Sequence, residues 1–433
     1  MEEYPKILIL DIKTFSNDFG GIYDYSSKSV KSITDNILDS TYVIRDKNNN
    51  FQNINQHSDI PKESDLLFHV LNDSQNIFFL INPIPRKLKL TRDNLAYMNN
   101  KIWYVINSED NLENDNNNPP YYINVNDIIK LGKVKFNISK IFIKNSNIEN
   151  DPPMPINDLL RYDISKLNQN TPPVFPEIFE AISYSKNNED KNDNHEQTID
   201  GTPSAELPKE QKKSEKKNQN FKCIICKKET FKNYSETDDG ESGNLISLCN
   251  CREEGLVHLG CLRKQLKVNC QEKGIDKEIT IENIECPICK EQYPLKFKYK
   301  NENDSKITNL IEEYKEPEDE DYLVLESLDY YIDEKICKTI HIIKLTNENI
   351  SIGRDPENDL IEKDISISRF HAVLKYNKMT SKISIVNKSK KFGTLVLIKK
   401  PLKILDEKIH LQVGRSYIVG KLEEKNKILQ HYI

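Results

Sequence analysis

Eight residues between positions 223 and 289 have the types and the spacing of metal ligands. In order they are Cys223, Cys226, Cys249, Cys251, His258, Cys261, Cys286 and Cys289. They form four short pairs: CIIC, the CxC of LCNCR, the HxxC of HLGC, and CPIC. Each pair sets two ligands on one tight turn, as a tetrahedral ion with Zn–S bonds of about 2.3 Å requires. Four pairs make two closed four-ligand sites. A closed site is structural, and its binding energy is largely the folding energy of the module around it. The expected cofactor is therefore zinc, two ions per chain. Cys270 and Cys337 fit no pair and read as ordinary thiols.

The bulk composition agrees with a metal role for these thiols. The chain has 433 residues, 37% hydrophobic and 30% charged, with a formal net charge of -6. That charge gives no global electrostatic case for a nucleic acid or an anionic membrane surface, so neither is expected as a partner. No segment reaches the roughly 18 consecutive apolar residues of a membrane helix. The opening MEEYPKILILDIK is acidic and alternating, and reads as a strand and not as a signal peptide. A cytoplasmic or nuclear location follows, where thiols stay reduced and clustered cysteines point to metal.

The elements around the cysteines read as mainly β in a multidomain chain. Residues 1–150 carry short alternating runs (KILILDI, NIFFLI, KIWYVI, DIIKLGKVKFNISKIFI) between Asn, Asp and Pro clusters, which predicts an N-terminal β domain. Residues 151–220 read as a Pro-rich and then disordered linker, with one short helix near 176–183. The zinc module occupies 221–300. An acidic linker at 301–321, centred on EPEDED, leads into a second β-patterned region at 322–433.

The ligand order, four cysteines, one histidine and three cysteines, resembles the RING-CH (RING-variant) family. That resemblance implies a cross-braced module: Cys223, Cys226, His258 and Cys261 on one ion, Cys249, Cys251, Cys286 and Cys289 on the other. The PHD finger shares the ligand order, but it carries a Trp two residues before the seventh ligand, where this chain has Ile284. The RING-CH resemblance also implies a ubiquitin-protein ligase, which supplies no nucleophile but holds a charged ubiquitin-conjugating enzyme beside a substrate. Its docking groove would use Ile225, Leu262 and Pro287, with Lys290 as a basic contact to ubiquitin. The family's helix Trp, four residues after the sixth ligand, is Gln265 here, and the gap before His258 is one residue short.

The run ISIGRDPENDLIEKDISISRFHAVLKY, with NKSKKFGTLVLI and IHLQVGRSYIVG after it, resembles the forkhead-associated (FHA) domain. The resemblance rests on Gly353–Arg354, on SRFH at Ser368–His371, and on Gly393–Thr394. It implies a β-sandwich that reads phosphothreonine from loops at one end. A dianionic phosphate suits a guanidinium fork and hydroxyl donors. On that basis Arg354 and Ser368 would contact the phosphate, Lys391 would be a further basic contact, Arg369 would be either structural or a peripheral basic contact, and Gly353 and His371 would hold the loops in shape. Phe392 stands where the family often has an Asn.

DIIKLGKVKFNI at 127–138 also resembles KIHLQVGRSYIV at 408–419, each alternating around a Gly, Gly132 and Gly414. The N-terminal β domain is either a degenerate FHA-like relative that lacks the phosphate motif or a domain that shares only a generic strand repeat. A RING-CH module followed by an FHA domain resembles a group of protist proteins. The expected function is a ubiquitin ligase directed to phosphothreonine-containing partners; the alternative is a non-catalytic phosphopeptide scaffold with a structural zinc module. A third arrangement, in which the FHA domain binds the chain's own linker, rests on Thr198 and Thr202.

Overall fold

The computed structural model describes residues 6–15, 24–25, 29–72, 78–81, 101–106, 120–144, 179–184, 221–228, 245–301, 304–328, 331–332, 335–346, 349–404 and 408–424. Thr198 and Thr202 lie outside them. The chain divides into two compact units. One comprises Met1–Phe175, Val268–Ile284 and Lys315–Ile433, and the other Pro176–Lys267 and Glu285–Tyr314.

The fold is mainly β. The first third of the chain gives β1 (Lys6–Phe15), β2 (Ser29–Ile37), β3 (Thr41–Arg45), β4 (Phe51–Ile54) and β5 (Asp65–Asn72). It continues with β6 (Phe78–Ile81), β7 (Ile102–Ile106), β8 (Tyr121–Tyr122), β9 (Ile128–Leu131) and β10 (Val134–Phe142). The middle gives β11 (Phe179–Tyr184), β12 (Leu245–Ser247), β13 (Leu256–His258) and the helix α1 (Leu259–Gln265). After it come β14 (Lys267–Lys273), β15 (Asp276–Glu282), β16 (Lys296–Asn301) and β17 (Asp304–Asn309). The last third gives β18 (Tyr322–Ser327), β19 (Tyr331–Ile332), β20 (Lys335–Lys344), β21 (Asn349–Gly353) and β22 (Leu360–Ile361). It ends with β23 (Ala372–Asn377), β24 (Lys382–Asn387), β25 (Thr394–Leu397), β26 (Leu402–Lys403), β27 (Ile409–Val413) and β28 (Ser416–Glu424). No helix among the described residues is long and apolar enough to cross a membrane.

The larger unit is built on one long sheet in the order β14-β15-β20-β18-β10-β9-β25-β7-β27-β28-β1-β2, with β19 on β20. Two short sheets, β22-β21-β23-β24-β8 and β26-β6-β5-β3-β4, share its core. These strands form two halves of the same plan. One half comprises β7-β27-β28-β1-β2 of the long sheet with the sheet β26-β6-β5-β3-β4; the other comprises β25-β9-β10-β18-β20 with the sheet β8-β24-β23-β21-β22. Each half takes its first seven strands from one end of the chain and its last three from the other. Residues 6–106 are completed by β26, β27 and β28, and residues 322–397 by β8, β9 and β10. The equivalent strands β7 and β25 then pair antiparallel, with Leu395 opposite Val105 and Leu397 opposite Trp103. At that seam alternate residues are buried on opposite faces: Ile102, Tyr104 and Ile106 in the main core, Trp103 and Val105 in a second cluster with Leu395 and Leu397.

The sequence expectation placed separate β domains at 1–150 and 322–433, but their strands share one sheet and one core. The likeness between 127–138 and 408–419 falls on β9–β10 and β27–β28, which hold equivalent places in opposite halves. Alternation fixes which face a strand buries but not which strand lies beside it. Two segments of the same pattern can therefore complete either half.

Three other expectations change. Residues 179–184 form a strand where a helix was expected, pairing antiparallel with β12 and parallel with β16. The acidic run is pinned and not loose: Lys140 meets Glu316 at 2.5 Å, Lys144 meets Asp319 at 2.9 Å and Lys344 meets Glu320 at 2.8 Å. The Tyr376 hydroxyl donates to Asp321 at 2.6 Å. Finally, the stretch between Cys261 and Cys286 contains the hairpin β14–β15, and residues 268–284 belong to the larger unit. There β15 pairs along β20 from Asp276–Ile343 to Glu282–Cys337.

Candidate metal centres and phosphopeptide loops

The smaller unit carries the sheet β13-β12-β11-β16-β17 and α1. Its ligands come from two matching turns and the segments between them. In the first turn the Lys227 N–H donates to the Cys223 carbonyl at 2.9 Å, and the Cys223 N–H to the Lys228 carbonyl at 2.9 Å. The last turn repeats this, with Lys290 donating to Cys286 at 2.9 Å and Cys286 to Glu291 at 2.8 Å. Lys227 and Lys290 share a left-handed φ of 61°. Such a turn leaves backbone N–H groups aimed at the first sulfur of each pair.

The four pairs assemble crosswise. Cys223, Cys226, His258 and Cys261 form one group, and Cys249, Cys251, Cys286 and Cys289 the other, with the ligand atoms of each within 4.8 Å of one another. His258 Nδ1 lies 3.3 Å from Cys226 Sγ and 3.7 Å from Cys261 Sγ. In the second group Cys286 Sγ is 3.5 Å from Cys249 Sγ and 3.9 Å from Cys251 Sγ. Disulfide sulfurs would be about 2.05 Å apart, whereas a tetrahedral ion with bonds of about 2.3 Å puts its ligands roughly 3.8 Å apart. The spacing fits a metal.

Electrostatics points the same way. Burial opposes ionisation of Cys223, yet the N–H groups of Cys226, His258 and Ile225 bring its pKa below the ordinary thiol value. Burial likewise opposes ionisation of Cys286, and the N–H groups of Cys289 and Ile288 outweigh it. The neighbours move the other way. Burial, reinforced by the nearby sulfurs, pushes Cys251 up to about 11 and Cys261 up to about 12, and raises Cys249 further. In each group one thiol is thus shifted toward ionisation while a neighbour is shifted away from it, a conflict that a dication removes. Gly255 sits tight against the second group. A Cβ there would fall 2.8 Å from Cys249 Sγ and 2.8 Å from Cys251 Cβ.

The residues expected to dock a conjugating enzyme separate by exposure. Pro287 is exposed and Ile225 is half-buried. Leu262 is 1% exposed and belongs to the interior of the module, not to its surface. It lies on α1, which Arg263 ties to the end of β17 by donating to the carbonyls of Asn309 at 2.8 Å and Leu310 at 3.0 Å. Ile288, beside Pro287, is 48% exposed and supplies an apolar surface that the sequence reading did not single out.

In the larger unit three loops bind one another at the end of the half that carries β21–β25. The Arg354 N–H donates to the Ser368 carbonyl at 3.0 Å, and Asp355 N–H to the Arg369 carbonyl at 3.1 Å. Gly353 is required by this approach, because a Cβ would lie 2.0 Å from the Arg369 carbonyl oxygen. His371, fully buried, joins the loops: Nδ1 accepts the Ser368 N–H at 3.0 Å and Nε2 bonds the Gly393 carbonyl at 3.0 Å. That pattern needs a neutral ring protonated on Nε2, and burial depresses its pKa to about 4.

The residues expected to contact phosphate lie around this frame. Arg354 is exposed, with Nε 3.3 Å from the Ile367 carbonyl. The Ser368 hydroxyl shares a 2.8 Å hydrogen bond with Ser389. Arg369 and Lys391 are exposed, and Lys391 Nζ lies 3.9 Å from Asp24. Sequence reasoning missed Ser389 and Asn387. The Asn387 side chain bonds Ser389 N–H, Ser389 carbonyl and Thr394 hydroxyl, each at 3.0 Å, and so fixes the loop. The only sequence signal was a polar NKS run just before Gly393–Thr394.

Residues 350–418 match the family model of the FHA domain. The match spans β21–β25 in one half and β26–β28 in the other, so this FHA domain is continuous in sequence while its last strands complete the neighbouring half. No match was found among curated proteins or among solved structures.

Proposed function

We propose that this chain binds phosphothreonine-containing partners through its FHA domain and brings a ubiquitin-conjugating enzyme to them through a two-zinc RING-CH-type module. The crosswise assembly of four ligand pairs carries this reading, because it is the ligand pairing that the RING-CH resemblance implies. Zinc suits the sulfur-rich tetrahedral ligand set. Ile225, Pro287 and Ile288 would meet the conjugating enzyme, and Lys290 would face ubiquitin. Arg354, Ser368 and Ser389 would bind the phosphate, with Arg369 and Lys391 adding positive charge. Carrying both functions on one chain raises the effective concentration of enzyme near substrate.

The test is purified chain with activating enzyme, ATP and a panel of conjugating enzymes. Polyubiquitin should form with at least one of them and fall sharply in Ile225→Ala. The burial of Leu262, together with Gln265 in place of the family's helix Trp, favours a second reading: a phosphopeptide scaffold whose zinc module docks proteins without catalysis. Absence of chains with every conjugating enzyme would leave that reading in place of the first.

A further inference from the structure

Asp24 and Tyr25, two residues between β1 and β2, lie against the loop between β24 and β25, which carries Ser389 and Lys391. The Tyr25 N–H donates to the Lys391 carbonyl at 2.9 Å. The tyrosine ring closes on Gly393, where a Cβ would fall 2.9 Å from Tyr25 Cε2. The hydroxyl donates to the side chain of Gln412, a buried residue. The ring also sits 5.1 Å from that of Tyr417 and 6.1 Å from that of Phe15. A backbone bond, a hydroxyl bond and two ring contacts therefore fix Tyr25 on the loop. Gly393 gives its carbonyl to His371, so one short loop is tied both to the Ser368 frame and to Tyr25.

Fixing Tyr25 also fixes the charge next to it. Asp24 Oδ2 lies 3.9 Å from Lys391 Nζ, with the aspartate side chain 26% exposed and the lysine 64% exposed. A lysine is a point charge on a flexible four-carbon stem, so Lys391 can turn to another anion. Asp24 is carried on backbone bonded to the lysine's own carbonyl, which keeps the acid beside it. We propose that Asp24, anchored by Tyr25, is an internal competitor for Lys391, which a phosphothreonine partner must displace before the lysine serves the phosphate. This rests on the phosphothreonine reading of Arg354, Ser368 and Ser389. A phosphate bears about 1.5 to 2 negative charges at neutral pH, against one on aspartate. It therefore wins the lysine once seated, but binds more weakly than it would to a lysine without a rival. The first third of the chain thus restrains the FHA site through a charge.

The full chain and the variants Asp24→Asn, Lys391→Ala and the two together would be titrated by fluorescence anisotropy. The probe is a peptide with one central phosphothreonine, selected on wild type from a degenerate library, with its unphosphorylated form as control. Asp24→Asn should bind the phosphopeptide about two- to fivefold tighter, the range that an exposed ion pair supports. In the Lys391→Ala background the same substitution should have no effect. Thermal melts check folding, and Asp24→Ser repeats the test with a different uncharged side chain. Unchanged or weaker binding in the folded Asp24 variants overturns the proposal, as does a gain that persists with Lys391→Ala; phosphorylation-dependent binding to wild type would then still stand. If no library peptide binds in a phosphorylation-dependent way, the phosphothreonine reading itself fails and this proposal with it.

Discussion

The backbone N–H of Lys133 donates to the hydroxyl of Ser366 at 2.8 Å, across 233 residues of sequence. A turn from the first third of the chain thus supports the loop that presents Ser368. That turn joins β9 to β10, strands that lie between β18 and β25. Cutting the chain at residue 322 removes this support along with seven strands of the long sheet, β9 and β10 among them. A fragment of residues 322–433 should therefore be aggregated or noncooperative in thermal melts, and a peptide of residues 120–144 should restore part of its folding. A monomeric fragment that melts cooperatively and binds phosphopeptide as the full chain does would refute the exchanged arrangement.

That exchange could not be read from the sequence, although its parts could. Residues 127–138 and 408–419 declare themselves as like strands because alternation around a glycine is a local property. Their partners are set by long-range packing that alternation does not encode. The metal groups were legible because CxxC spacing is local and the family resemblance supplied the crosswise pairing. The hairpin between Cys261 and Cys286 was not, since KVNCQEK has little apolar character and β14 is mostly exposed. Ser389 escaped for a related reason: its role comes from meeting Ser368 across two loops, and a polar NKS run alone does not single it out.

Metal content offers a second test. Loss of a ligand should empty one group and spare the other, so wild type should hold two zinc ions per chain by elemental analysis. Gly255→Ala would press a methyl group against Cys249 Sγ and Cys251 Cβ, each 2.8 Å from the ideal Cβ position. It should reduce the content toward one ion. Two ions held as tightly as in wild type would contradict the geometry of the second group.

Leu262 and Ile225 should differ in kind. Leu262 is 1% exposed, and its replacement by Ala should cost the smaller unit about 2–5 kcal/mol of stability. Half-buried Ile225, changed to Ala, should leave the melting temperature close to wild type while weakening capture of a conjugating enzyme. Denaturant titration and a pull-down separate the two effects. A destabilised Ile225→Ala with a stable Leu262→Ala would reverse the assignment.

The proposed phosphate site makes a sharper claim about hydroxyls. Ser368 and Ser389 share one 2.8 Å hydrogen bond, and a phosphate oxygen would replace each serine's partner by an anion. Charge-assisted hydrogen bonds contribute about 1.5–3 kcal/mol, so Ser368→Ala should weaken a phosphothreonine peptide by roughly 10- to 100-fold. Arg354→Ala should do at least as much. Calorimetry with phosphorylated and unphosphorylated forms gives the comparison, and full affinity in Arg354→Ala would remove the site.

Finally, Glu362 ties stability to pH. It is buried just beyond β22, its N–H donating to the Gly353 carbonyl at 3.0 Å. Burial, aided by Glu278 and Asp364 and opposed by His341, raises its carboxyl from 4.5 to about 7. His341 is itself fully buried: burial works against its charge, but Asp276, 2.8 Å away, outweighs it and raises the imidazole pKa. Between pH 4.5 and about 7 the folded chain keeps a proton on Glu362 that the unfolded chain has released. Its contribution is thus present at low pH and is lost as pH rises through that window. The raised His341 acts in the same direction above its ordinary value of 6.5. Depressed His371 runs opposite, losing its contribution as pH falls from 6.5 toward 4, which is why a variant-minus-wild-type difference is the useful quantity. Glu362→Gln should melt at a temperature that rises relative to wild type between pH 5 and pH 8, because glutamine is never ionised. A constant difference across that range would mean that the Glu362 carboxyl titrates normally.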